Sequence, residues 1–125
     1  MTQTMILLQV AFGGAIGSVA RYLITYGASR ACLPGFPVGT LAVNVVGSFA
    51  MGILFILITR EGRFSPFVLT GILGGFTTFS AFSLDAFCLW ERGQVGAAGL
   101  YVGLSVVLSL GALVAGVMLA RGVLS

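Results

Sequence analysis

No charged residue falls ahead of Arg21, between Arg30 and Arg60, between Arg63 and Asp85, or between Arg92 and Arg121. A hydrocarbon core about 30 Å thick is crossed by about 20 mostly apolar residues in a helix. The chain divides into four such stretches: Thr4 to Tyr26, Pro37 to Thr59, Ser65 to Trp90 and Val95 to Ala120. Hydrophobic side chains make up 58% of the sequence and charged ones 7%, so a water-soluble globule would expose large apolar patches. The fold class predicted is an all-α integral membrane protein of four transmembrane helices. The connections are short: Gly27 to Phe36 with Pro34-Gly35, then Arg60 to Arg63, then Glu91-Arg92-Gly93. That leaves one domain, 1–125, with no linker or extramembrane module. The first residues lack the basic start and small-residue cleavage site of a signal peptide, so the first span is expected to be retained.

The third span is unlike a plain anchor. Gly71 to Ser83 reads GILGGFTTFSAFS, with paired glycines, four hydroxyls and three phenyl rings inside an apolar segment. Hydrocarbon offers no hydrogen-bond partner, so a Gly-Gly break followed by Thr and Ser is tolerated only against protein, water or an ion. The helix is expected to break near Gly74 to Thr78, with the second half starting near Thr77 or Thr78. Its N-terminus would then carry a partial positive charge into the membrane. Interrupted helices at mid-membrane are where transporters handle ions.

Polar residues elsewhere form stripes. Thr40, Asn44 and Ser48 recur every fourth residue in span two, as do Tyr101, Ser105 and Ser109 in span four, which stacks each set on one helix face. Such hydroxyls also bond their own turn or join helices at about 0.6 kcal/mol per contact. Asn44, with two donors and an acceptor to satisfy, is either a helix clasp or a ligand donor. Gly13 with Gly17, and Gly99 with Gly103, have the small-residue spacing of close helix packing. Arg21 is read either as snorkelling to the headgroups or as a cation drawing anions to a vestibule. Asp85 is read as an interfacial carboxylate in preference to one that pairs with an arginine. Cys32 and Cys88, without any histidine in the chain, have no metal-ligand spacing and are read as structural or inert thiols.

Four spans put both termini and the middle loop on one side. Arg60, Arg63 and Arg121 therefore oppose Arg30, Arg92 and Arg21, three against three. Orientation follows the excess of Lys and Arg in short loops, and here there is none. The expectation is dual topology, with oppositely inserted copies paired as an antiparallel two-fold homodimer.

Several classes are excluded. Spans one, two and four lack Asp and Glu, which removes a central carboxylate for proton or organic-cation coupling. No Ser-His-acid set, phosphate loop or cysteine pair points to an enzyme, and scattered arginines leave no nucleic-acid footprint. The neutral donors of the stripes, together with the electropositive edges of Phe76, Phe79 and Phe82, suit a small hydrated anion. Two other readings stay open: a small multidrug-type exporter, which would need an acidic residue in span one, and a non-transporting membrane subunit.

Three runs together resemble the Fluc (CrcB) fluoride channels: GGFTTFSAFS in span three, Gly39 to Asn44 in span two, and Gly17 to Tyr22 in span one. The similarity covers essentially the whole chain. It implies a dual-topology antiparallel dimer in the bacterial inner membrane, with two fluoride pores and a structural sodium ion on the central axis. Backbone carbonyls of Gly74 and Thr77 from both subunits would hold the sodium. Phe79 and Phe82 would turn ring edges toward fluoride, Asn44 would donate to it, and Ser80 would line the same path. Thr40, Tyr101, Ser105 and Ser109 match a polar track, and Arg21 matches a vestibule arginine. Family members commonly carry Thr where this chain has Ala81, which removes one hydroxyl from the pattern.

Overall fold

A computed structural model describes residues 2–28, 35–59 and 62–124. Among them the chain is helical: α1 Gln3–Ala28, α2 Val38–Thr59, a π-helical stretch π1 Pro66–Leu73, α3 Gly74–Phe76, α4 Ser80–Glu91 and α5 Val95–Leu124. Four segments are long and apolar enough to cross a membrane: Gln3–Tyr26, Val38–Ile58, Pro66–Glu91 and Val95–Leu124. The protein is a multi-pass membrane protein. Arg30, Cys32 and Arg60, which enter the charge-balance and cysteine readings, lie outside the described residues.

Helix ends follow from local chemistry. Thr2 accepts the Met5 N–H through Oγ1 at 3.2 Å, which satisfies one of the orphan donors of α1. At the end of α4, Gly93 sits at φ +83°. There the Gly93 N–H reaches Trp90 O and the Gln94 N–H reaches Leu89 O. These are the paired bonds of a Schellman turn, and they turn the chain directly into α5.

Glycine decides which helices touch. Gly13 and Gly17 of α1 lie against the backbone of the first half of span three; a Cβ on Gly17 would run into Ile72 O and Phe76 N. Gly71 and Gly75 answer from the other side, against Gly13 and Gly14. Backbones this close gain dense packing where lipid supplies no hydrophobic drive. The α1 contact stripe, Gln9, Gly13, Gly17 and Arg21, recurs every fourth residue and ends in polar straps. Gln9 Oε1 accepts the Phe67 N–H at 3.2 Å, and Arg21 Nε donates to Gly75 O at 3.1 Å.

A second glycine crossing joins α2 to α5. A Cβ on Gly52 would meet Leu113 O, and one on Gly116 would meet Phe49 O. Among the described residues of one copy, the expected close packing of Gly99 and Gly103 is not found: neither has an atom within 4 Å of a built Cβ, and both face outward. Span three is thus shared. Its first half packs on α1, whereas α4 packs on α5.

Candidate functional site

The helix break falls where the glycines and threonines predict it. Thr77 is extended at φ −86°, ψ 158°, and four carbonyls around it are sorted by side chains. A continuous helix would send the Phe79 N–H to Gly75 O and the Phe82 N–H to Thr78 O. Here Gly75 O takes Arg21 Nε instead, and Thr78 O takes Asn44 Nδ2 at 2.9 Å. The other two carbonyls lose their N–H. The Thr78 N–H, which a helix would aim at Gly74 O, goes to Asn44 Oδ1 at 2.8 Å. The Ala81 N–H, due to Thr77 O, goes to Thr78 Oγ1 at 3.2 Å.

Gly74 and Thr77 are therefore two carbonyls whose helical N–H partners bond side chains instead. Among the described residues no group of three or more His, Cys, Asp or Glu could hold a metal. Uncovered backbone oxygens are the donor type a hard cation takes, and these two fit that chemistry.

Beside the break lies an open cavity of about 600 Å³. Asn44, Gly47 and Ser48 line it from α2, and Ser105 and Ser109 from α5. Gly74, Thr77, Thr78, Phe79 and Phe82 line it from span three, and Met51, Val106, Leu110 and Leu113 make most of the rest of the wall apolar. Gly47 is small for a reason: a Cβ there would strike the Thr77 methyl and approach the Phe76 ring. Phe79 is 77% exposed and Phe82 9%, with ring centroids 5.4 Å apart. Ser105 Oγ is buried and, among the described residues, has no hydrogen-bond partner, so this hydroxyl is left unsatisfied within one copy of the chain.

Not every expected residue gathers there. Thr40 and Tyr101 are buried around Asp85 instead. Tyr101 OH donates to Asp85 Oδ2 at 3.1 Å, with the Thr40 hydroxyl adjoining both. The Tyr101 ring contacts Phe82 at 5.3 Å and meets Phe36 edge-on. Ser80 is exposed, 3.4 Å from Thr78 Oγ1, and does not line the cavity wall. Arg21 approaches from α1, on the Gly75 carbonyl rather than snorkelling freely.

Two sequence readings are corrected. Asp85 is 2% exposed and turned into the protein, where the Tyr101 hydroxyl meets its carboxyl. Cys88 is buried and disulfide-bonded, so it is no free thiol. The Asp85–Tyr101 pair had one signal in the sequence: a carboxylate within an apolar span, short of its end, needs a buried donor. Tyr101→Phe keeps the ring contacts and removes the donor. Thermal unfolding in detergent is expected to show a loss of about 1–3 kcal/mol, and an unchanged midpoint would mean the bond carries no stability.

A small four-span membrane protein with an interrupted third helix and, at the interruption, a largely apolar cavity that carries a few polar side chains is the class that this geometry defines. The profile of the family described as "CrcB-like protein, Camphor Resistance (CrcB)" matches residues 8–117. The protein of Cereibacter sphaeroides named "Fluoride-specific ion channel FluC" is 62% identical over 117 residues, covering 93% of this chain and 94% of that one. Its namesakes from Ruegeria and Paracoccus denitrificans are 58% and 56% identical, covering 95% and 92% of this chain and 97% and 94% of their own. The chain belongs to the CrcB-like family.

Proposed function

We propose that this protein is a fluoride-selective passive channel that lets cytoplasmic fluoride leave the cell. The observation that carries the reading is the cavity, which brings Asn44, Ser105 and Ser109 together with the Phe79 and Phe82 rings beside the break. The name printed for its relatives supports it. Hydroxyl and amide donors replace fluoride's water one for one, and ring edges add positive potential without a fixed charge. A narrow path whose donors fit fluoride but not a larger anion gives selectivity, and neutral donors allow the ion to leave again.

No energy input is required. Hydrogen fluoride enters as a neutral acid and dissociates in a neutral cytoplasm, where the anion is trapped. An inside-negative potential then drives it out, worth about 2.3 kcal/mol per charge for each 100 mV. Excluding chloride keeps that potential intact.

The functional unit in this reading is an antiparallel pair of copies, supported by the three-against-three balance of arginines. Gly74 and Thr77 carbonyls from both copies would hold a structural sodium ion, which would join the two interrupted helices as a fixed charge. Lysines added to the Arg60 to Arg63 loop would lock one orientation. Fluoride resistance is then expected to disappear unless an oppositely locked copy is supplied, and full resistance from one locked form would refute the pairing.

Transport itself is tested in liposomes loaded with potassium fluoride or potassium chloride, with valinomycin added and efflux followed by ion-selective electrodes. Rapid fluoride release with negligible chloride release is expected. Silence for both ions in well-folded protein would remove the channel reading and leave an accessory membrane subunit.

A further inference from the structure

We infer that the Thr78 hydroxyl is a positioning residue for the cation site: by capturing the Ala81 N–H, it keeps the Thr77 carbonyl uncovered. The inference rests on the sodium reading above and deepens it. Thr78 is neither a proposed ligand nor one of the proposed fluoride donors; its part is to decide which backbone oxygen is available.

Three observations converge on it. The Ala81 N–H bonds to Thr78 Oγ1 at 3.2 Å, the third-residue bond by which a threonine caps a helix start. The same N–H is the one that would close a helical turn on Thr77 O. The backbone of Thr78 is itself fixed at both ends by Asn44, through the Thr78 N–H at 2.8 Å and the Thr78 carbonyl at 2.9 Å. The amide clasp fixes the backbone from which the hydroxyl reaches Ala81.

Uncovering is a competition between acceptors for one N–H. With the hydroxyl present, the N–H is satisfied by the side chain and α4 starts at Ser80. Without it, the N–H is an unmet donor in a low-dielectric setting and its nearest helical acceptor is Thr77 O. The second half of span three would wind back by a turn and cover the oxygen the ion uses. The second diverted N–H, that of Thr78, is held by Asn44 on another helix, so Gly74 O would stay open and half of the donor set would be lost.

The test measures sodium linkage rather than transport. Purified protein is unfolded thermally across a sodium chloride series, with N-methylglucamine chloride holding ionic strength constant. A ligand that binds only the folded state raises the midpoint with its concentration. Wild type and Thr78→Ser, which keeps an acceptor, are expected to rise together. Thr78→Val, isosteric but without an acceptor, is expected to need at least about tenfold more sodium for the same rise. Thr78→Ala serves if the valine variant does not fold. An equal loss of stability in both salts, with the sodium response intact, would reduce Thr78 to an ordinary helix cap and overturn the inference. A wild-type protein whose midpoint ignores sodium would overturn the cation reading itself.

Discussion

Replacing Asn44 with aspartate is expected to abolish fluoride efflux while the four helices still form. The amide of Asn44 serves the Thr78 backbone in both directions, accepting from its N–H and donating to its C=O. Aspartate keeps the first bond and converts the second into an oxygen facing an oxygen. A buried acceptor left without its donor costs about 1–3 kcal/mol, more when charged, and about 1.4 kcal/mol is already tenfold in a rate. The same carboxylate would place negative charge on the cavity wall in the way of an anion. Efflux in liposomes is expected to fall at least about a hundredfold. Wild-type flux from a folded Asn44→Asp protein would show that the amide neither shapes the break nor meets the ion.

The second large effect concerns a residue that touches no ion. Gly17→Ala adds one methyl group where the backbone of span three already stands, with Ile72 O and Phe76 N in its way. Side chains can turn aside, but a carbonyl in a helix cannot, so α1 must move away from π1 and α3. Overpacking against flexible neighbours costs about 1–3 kcal/mol, and a rigid backbone neighbour puts this case at or above the top of that range. Separation would also pull Arg21 from the Gly75 carbonyl. The expected outcome is a collapse in the yield of monodisperse protein by size-exclusion chromatography. Gly99→Ala, on an open face of α5, should elute like wild type and provides the control. Equal yields for the two would refute the backbone-contact account of α1 packing.

Much of this architecture was readable because the bilayer fixes the length of a crossing helix. The four spans needed only the positions of the charges. The break was readable too, since Gly74-Gly75 followed by Thr77-Thr78 in hydrocarbon has few other uses. Other features depended on distance in the chain. Nothing local in Pro66 to Leu73 marks a π-helix, and its strap on Gln9 joins residues far apart in sequence. The Gly52 to Gly116 crossing was hidden for the same reason. In its place the sequence offered Gly99 and Gly103, whose spacing is right but whose face is open.

The polar stripes show where periodicity stops being informative. Thr40, Asn44 and Ser48 share one face of α2, as expected, yet the structure divides them. Asn44 and Ser48 line the cavity, while Thr40 joins Asp85 and Tyr101 in a buried cluster. Spacing tells which residues share a face, not which neighbour each one meets along it. The clasp and donor alternatives for Asn44 also cease to be exclusive. An amide nitrogen carries two hydrogens, and the Thr78 carbonyl takes one.

The two diverted N–H groups have a consequence for a copy of this chain alone in lipid. Its Gly74 and Thr77 oxygens ask for partners that the chain itself has directed elsewhere. In hydrocarbon such a demand costs several kcal/mol for each group, so water, a cation or a second copy must answer it. Where a second copy answers it, as in the proposed pair, a solitary subunit would be the higher-energy form of the molecule, and its abundance would fall steeply as chains become crowded in the membrane. Assembly would be driven by the backbone's unmet hydrogen-bonding capacity as well as by apolar contact.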